Sequence, residues 1–108
     1  MNQPWKTDQW FASPWNYSPE ATQGMHFPDQ IRIHDVTLRD GEQQTGIVFR
    51  RQEKVEIAKK LASAGVHRIE AGMPAVSSED EAAIKEIVDL GLSSEIFSFA
   101  RCMPADDK

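Results

Sequence analysis

An α/β fold with parallel strands is what this sequence predicts, and three observations carry that reading. Short β-branched or apolar segments start near residues 31, 67 and 95. Stretches with three-and-four apolar spacing separate them, so the chain alternates strand, helix, strand, helix, strand at about thirty residues per unit. The segments end in polar or charged residues, and in parallel α/β folds ligands gather at the carboxyl ends of strands. Right-handed crossovers between consecutive strands make all three parallel.

Taken in order, residues 1–30 stand apart from the rest. They hold Trp5, Trp10 and Trp15 with Phe11, Tyr17 and Phe27, punctuated by Pro4, Pro14, Pro19 and Pro28. That many prolines exclude a long helix, because each removes a donor and fixes φ. The aromatic load predicts an extended arm that docks its rings on the domain body or on a second subunit. A ligand-binding aromatic box is the alternative.

The body, residues 31–108, opens with the strand IRIHDV (31–36), where Ile31, Ile33 and Val36 suit a pleated, half-buried surface. It breaks at once into the polar cluster Arg39, Asp40, Gly41, Glu42, Gln43 and Gln44. A helix is predicted over 51–64, with Val55, Ala58, Leu61 and Ala62 as its apolar stripe and Gly65 at the C-cap; Arg50 makes a poor N-cap. The strand HRIEA (67–71) and the loop GMPAVS follow. Ser78 and Glu81 have capping-box spacing for a second helix, Glu79 and Asp80 suit its positive end, Ile84, Ile87 and Val88 form its buried stripe, and Gly91 closes it. The third strand, EIFSFA (95–100), is nearly all apolar, as strands covered on both faces are. Three strands and two helices make an incomplete sheet, and a full β/α barrel takes ~250 residues. The sequence therefore reads as a piece of something larger, whose third strand leaves an unpaired apolar edge prone to association.

Composition narrows the function classes. Of 108 residues 40% are hydrophobic and 27% charged, a soluble globular balance. Lys and Arg number 12 against 17 Asp and Glu, a net charge of −5. An acidic chain without a concentrated basic face argues against nucleic acid as its main partner. No apolar run approaches the ~20 residues of a membrane span. The N-terminus lacks a signal-peptide pattern, and the single Cys102 suits a reducing cytoplasm.

Three strand ends finish with residues an apolar core does not favour: Arg39 and Asp40, then Glu70, then Arg101. Charge in such short strands is costly unless paired, and pairing across strand ends converges these groups on one cleft. Asp40 offers a hard oxygen to Mg²⁺, Mn²⁺ or Zn²⁺. Arg39 suits a developing enolate or oxyanion, with Glu70 to orient it. The alternative is a surface ion pair at a loop. An EF-hand fails, because aligning Gly41 with its invariant glycine puts Val36, Leu38 and Ile47 at ligand positions. His26, His34 and His67 have no ligand spacing and read as solvated or hydrogen-bonded residues, and Cys102 as packing. Phosphate-loop, dinucleotide and nucleophile-elbow motifs are missing.

HDVTLRDGEQQTGIVF, then EKVEIAKKLASAGVHRIEAGMPAVS, then EIFSFARCM, closely resemble the start of the 2-isopropylmalate synthase and homocitrate synthase family over residues 31–104. Citramalate synthase and 3-hydroxy-3-methylglutaryl-CoA lyase are relatives in the same superfamily. The resemblance implies that these are the first three strands and two helices of a (β/α)₈ TIM barrel. It implies a divalent-metal-dependent condensation of acetyl-CoA with a 2-oxo acid in a cytoplasmic homodimer. By the same resemblance Asp40 is the metal ligand and Arg39 the cation on the enolate. Gln43 is a substrate contact, Glu70 a carboxylate facing the site, and Arg101 a contact for the oxo acid's carboxylate. Val36 stands where many members have Thr. The family's His-x-His metal pair and catalytic base are expected beyond residue 108, which predicts a chain that alone binds metal weakly and does not turn over. GMPAVS favours the synthases over the superfamily's lyases. A lyase, or a non-catalytic piece that only assembles with other chains, completes the set of alternatives.

Overall fold

The computed structural model describes residues 2–104, so the last residues of the expected body, 105–108, lie outside the described residues. The chain divides into two compact units, Met1–Ile31 and Arg32–Lys108.

In the first unit the prolines set the local structure. Pro14 opens a 3₁₀ turn, Pro14–Tyr17, capped by the Ser13 hydroxyl, and Pro19 opens a one-turn helix α1, Pro19–Thr22, capped by Ser18. Proline is at home there because the first helical N–H has no intrahelical partner. Trp5 packs on Tyr17 with ring centroids 6.2 Å apart, while Trp10, Phe11, Trp15 and Phe27 lie at the surface. The segment is a folded piece rather than a plain extended arm.

The second unit is a three-stranded parallel sheet in the order β1 (His34–Asp35), β2 (Arg68–Glu70), β3 (Glu95–Phe97). Helices α2 (Arg51–Ser63) and α3 (Ser78–Asp89) make the two crossovers. The register pairs His34 with Arg68, and Glu70 with Phe97. Side chains alternate across a pleat, so Ile69 and Ala71 point one way and Arg68 and Glu70 the other. Ile69 and Ala71 are fully buried with Leu38, Ala58 and Ile87, and Val55 nearly so. Burying one Ile or Leu side chain contributes about 1.5–3 kcal/mol, so this cluster holds the unit together.

The structure corrects the expectations from sequence in five places. The first strand is shorter than 31–36, and Ile31 and Ile33 are exposed; Leu38, just before the polar cluster, is the residue that reaches the core. The helix predicted at Ser78 is capped one residue earlier, where the Ser77 hydroxyl accepts from the Asp80 amide at 3.1 Å. On that helix Ile87 is buried but Val88 is exposed, because the stripe follows 83, 84 and 87. The third strand is Glu95–Phe97, and only Ile96 of it packs on the core; Phe97 and Phe99 are each 40% exposed, so it is covered on one face only. Cys102 is exposed rather than packed. The poor N-cap at Arg50 is partly made good by Glu53, which accepts from the Arg50 amide at 2.7 Å.

Gly72, buried just past β2, has φ of 145°, a region L side chains rarely enter, and its carbonyl accepts from the Phe99 amide at 2.9 Å. A Cβ there would also lie 3.4 Å from the Ile84 side chain. Gly72→Ala is expected to destabilise by about 1–3 kcal/mol. Urea unfolding followed by circular dichroism checks this as a lower midpoint at unchanged slope.

Candidate active site

The sheet leaves β1 through a tight turn. The amides of Arg39, Asp40 and Gly41 all approach the Val36 carbonyl, at 3.1, 2.9 and 3.1 Å, closing a turn that leads into the 3₁₀ helix Asp40–Gln43. Asp35 braces the turn by accepting from the Thr37 amide at 2.9 Å and its hydroxyl at 3.1 Å. Gly41 has no left-handed backbone here; its Cα faces Thr37, where a Cβ would be in ordinary contact.

This turn aims Arg39 at the end of β2. Arg39 Nε donates to Glu70 Oε1 at 2.5 Å, Arg39 Nη1 reaches Asp40 Oδ1 at 3.3 Å, and the guanidinium lies 4.9 Å from the Phe99 ring centroid. The second oxygen of Glu70 is taken by His34 Nε2 at 2.9 Å, and the His34 ring stands edge-on to Phe97 with centroids 5.6 Å apart. Glu70 is thus held on both oxygens, with its side chain 13% exposed. The His34 hydrogen bond, and then the hydrogen bond and charge of Arg39, outweigh burial and hold its carboxyl below the ordinary 4.5.

Of the residues singled out from sequence, the structure joins Arg39, Asp40 and Glu70 by direct contact. Gln43 lines a cleft of about 360 Å³ with Arg39, Glu42, Phe49, Met73 and Asp80. Arg101 lies on the exposed segment after β3. Phe97 and Phe99 stand outside the residues read from sequence, and His34, expected to be solvated or hydrogen-bonded, is hydrogen-bonded to Glu70. Their signal is the register: a parallel pairing of His34 with Arg68 puts His34 diagonally beside Glu70 on one face. The remaining histidine of the unit has a structural task, as His67 Nδ1 accepts from the Ile33 amide at 2.9 Å.

Behind the cleft lies a second ionic group. Lys54, on the first turn of α2, is 3% exposed; its Nζ contacts Glu42 Oε2 at 2.7 Å and also Asp80 Oδ1. Burial pushes its ammonium down, but the hydrogen bonds and charges of Asp80 and Glu42 outweigh it and hold Lys54 above the ordinary lysine value. Burial likewise pushes the Asp80 carboxyl up, and the bonds from Lys54 and Ser77 bring it down on balance.

For a divalent metal the fit is one donor. The Asp40 carboxylate, 58% exposed at the mouth of the turn, offers hard oxygens. Among the described residues no group of three or more His, Cys, Asp or Glu is placed to hold a metal ion. Also among the described residues, no helix is long and apolar enough to cross a membrane.

A parallel β/α sheet with helices on one face and a paired arginine and carboxylates at its carboxyl edge is the architecture of a TIM-barrel segment. The HMGL-like family model matches residues 30–108, and the chain belongs to that family. It is 43% identical over 98 residues to homocitrate synthase AksA of Methanothermobacter thermautotrophicus, covering 91% of this chain and 24% of that protein. It is 48% identical over 81 residues to a probable 2-isopropylmalate synthase of Ignicoccus hospitalis, 75% of this chain and 20% of that one. With the 2-isopropylmalate synthase of Methanocaldococcus jannaschii the identity is 44% over 87 residues, 81% of this chain and 17% of the relative. The chain spans about a quarter or less of the length of these relatives.

Glu70 carries a pH prediction. A carboxyl held below its unfolded value adds stability above that value and loses it as pH falls through the folded one. Glu70→Gln should cost about 1–3 kcal/mol at neutral pH, the worth of hydrogen bonds to a charged group. The gap between wild type and variant should close as pH drops below the ordinary carboxylate value, measured by urea midpoints across the acid range.

Proposed function

We propose that this chain supplies the first part of a longer enzyme that condenses acetyl-CoA with a 2-oxo acid. The observation that carries this reading is Arg39, fixed by Glu70 at 2.5 Å and set beside Asp40 at the carboxyl edge of the parallel sheet. The names of the relatives, homocitrate and 2-isopropylmalate synthases, support it.

In this reading a base outside the chain removes a proton from the acetyl methyl. The resulting enolate carbon attacks the oxo acid's carbonyl carbon, whose oxygen takes up the charge and then a proton. Water then cleaves the thioester and CoA leaves as its thiol. Arg39 places a fixed positive charge against the enolate oxygen, a preorganised contact that strengthens as charge develops. Glu70, tied by His34 on its other oxygen, keeps Arg39 from swinging away. Gln43 contacts substrate in the cleft, and Arg101 pairs with the oxo acid's carboxylate. A divalent metal, Mg²⁺, Mn²⁺ or Zn²⁺, held by Asp40 and by ligands outside this chain, supplies polarisation of the carbonyl. The enzyme is read as a cytoplasmic homo-oligomer.

The test is CoA release by the full-length protein with 2-oxoisovalerate, 2-oxoglutarate and pyruvate in parallel; release with none of them overturns the reading. Arg39→Gln is expected to lower kcat by about 10²–10³, as loss of one oxyanion donor does. Asp40→Asn is expected to weaken metal binding in an equilibrium titration. The 108-residue chain alone is expected to bind metal weakly and release no CoA, because one carboxylate is too few ligands for a closed divalent site.

A further inference from the structure

We propose that Lys54 is a positioning residue of this site: its ammonium latches the turn that carries Arg39 and Gln43 to the start of α3. The inference rests on the site reading above. Lys54 sits on the buried face of α2, next to Val55 and one turn from Ala58, where an apolar side chain would be the ordinary choice. A buried ion pair adds little net stability over a hydrophobic replacement of similar volume, so stability alone does not explain a lysine there. What it does is join three segments at one atom. Glu42, adjacent to Gln43, takes Lys54 on Oε2 at 2.7 Å and the Phe49 amide on Oε1 at 3.0 Å, which closes the loop from residue 42 to residue 49. Asp80 takes Lys54 on Oδ1 and the Ser77 hydroxyl on Oδ2 at 2.8 Å, and so fixes the first turn of α3. Arg39, Glu42, Gln43 and Asp80 all line the same cleft. The latch therefore sets the spacing between the loop after β1 and the loop after β2, the two walls of that cleft.

The experiment has two arms. In the first, amide hydrogen exchange is read residue by residue on the chain as wild type, Lys54→Met, Lys54→Arg and Glu42→Gln. Met should speed exchange in residues 42–49 and 77–81 by about ten-fold or more while Ile69 and Ala71 in the core stay as protected as before. Glu42→Gln, which keeps the Lys54–Asp80 contact, should loosen residues 42–49 alone. Unchanged exchange in those loops, or equal acceleration of every amide, overturns the proposal; if Lys54→Met does not fold, Glu42→Gln decides it, and unchanged exchange in residues 42–49 or equal acceleration of every amide in that variant overturns it. The second arm measures CoA release by the full-length protein. Lys54→Met should lower kcat/KM by about ten-fold or more, as small displacements of positioned groups do, and Lys54→Arg should recover most of the loss. Full activity in Lys54→Met overturns the positioning role. A wild type that releases no CoA with any of the three acids sinks the condensing-enzyme reading instead, and the exchange arm still decides the latch.

Discussion

Everything in the α/β unit depends on the pleat of β2. It is the central strand, paired to β1 on one side and β3 on the other, and only three residues long. Its alternation sends Ile69 into the core under α2 and α3, and Glu70 to the opposite face, where Arg39 and His34 meet it. Slipping the strand by one residue would exchange these roles, burying a carboxylate and exposing the isoleucine. The apolar cluster thus fixes where the charge stands. Stability and chemistry share one strand without sharing a side chain.

Two ionic groups lie on either side of the turn after β1, and they differ in what they demand. At Glu70 one carboxylate meets two nitrogen groups, near the surface and beside the aromatic rings of Phe97 and Phe99. At Lys54 one ammonium meets two carboxylates in the interior. The first leaves Arg39 next to open space, with charge to offer to a ligand. The second is closed on itself and holds backbone in place. Glu42 and Arg39, three residues apart on the same turn, belong to different groups, so the turn is gripped from behind and armed in front.

Much of this was legible in the residues. The strand–helix rhythm follows from apolar spacing, and the helix over 51–64 ends within one residue of its expected place because Gly65 admits the left-handed backbone that stops it. The convergence of Arg39 and Glu70 follows from the cost of charge at the ends of short apolar strands. What was not legible depends on the third dimension. His34 reads as a solvated or hydrogen-bonded residue, and only the register shows that its partner is Glu70. Lys54 carries no local signal of burial, since its partners Glu42 and Asp80 lie 12 and 26 residues away. The third strand looks doubly covered by composition, yet Phe97 and Phe99 face out, because apolar character marks what a strand is able to bury and not what lies across from it. The sulfur of Cys102 is at the surface for the same reason.

All three tryptophans and the single tyrosine belong to the Met1–Ile31 unit, and the sheet and its two long helices contain neither. Intrinsic ultraviolet emission is therefore a private channel of the first unit. A fluorescence-detected melt follows the proline-punctuated segment, and a far-ultraviolet dichroism melt is dominated by α2 and α3. One unlabelled sample thus carries two separate optical reporters, and a difference between their midpoints reads directly whether the two units unfold together.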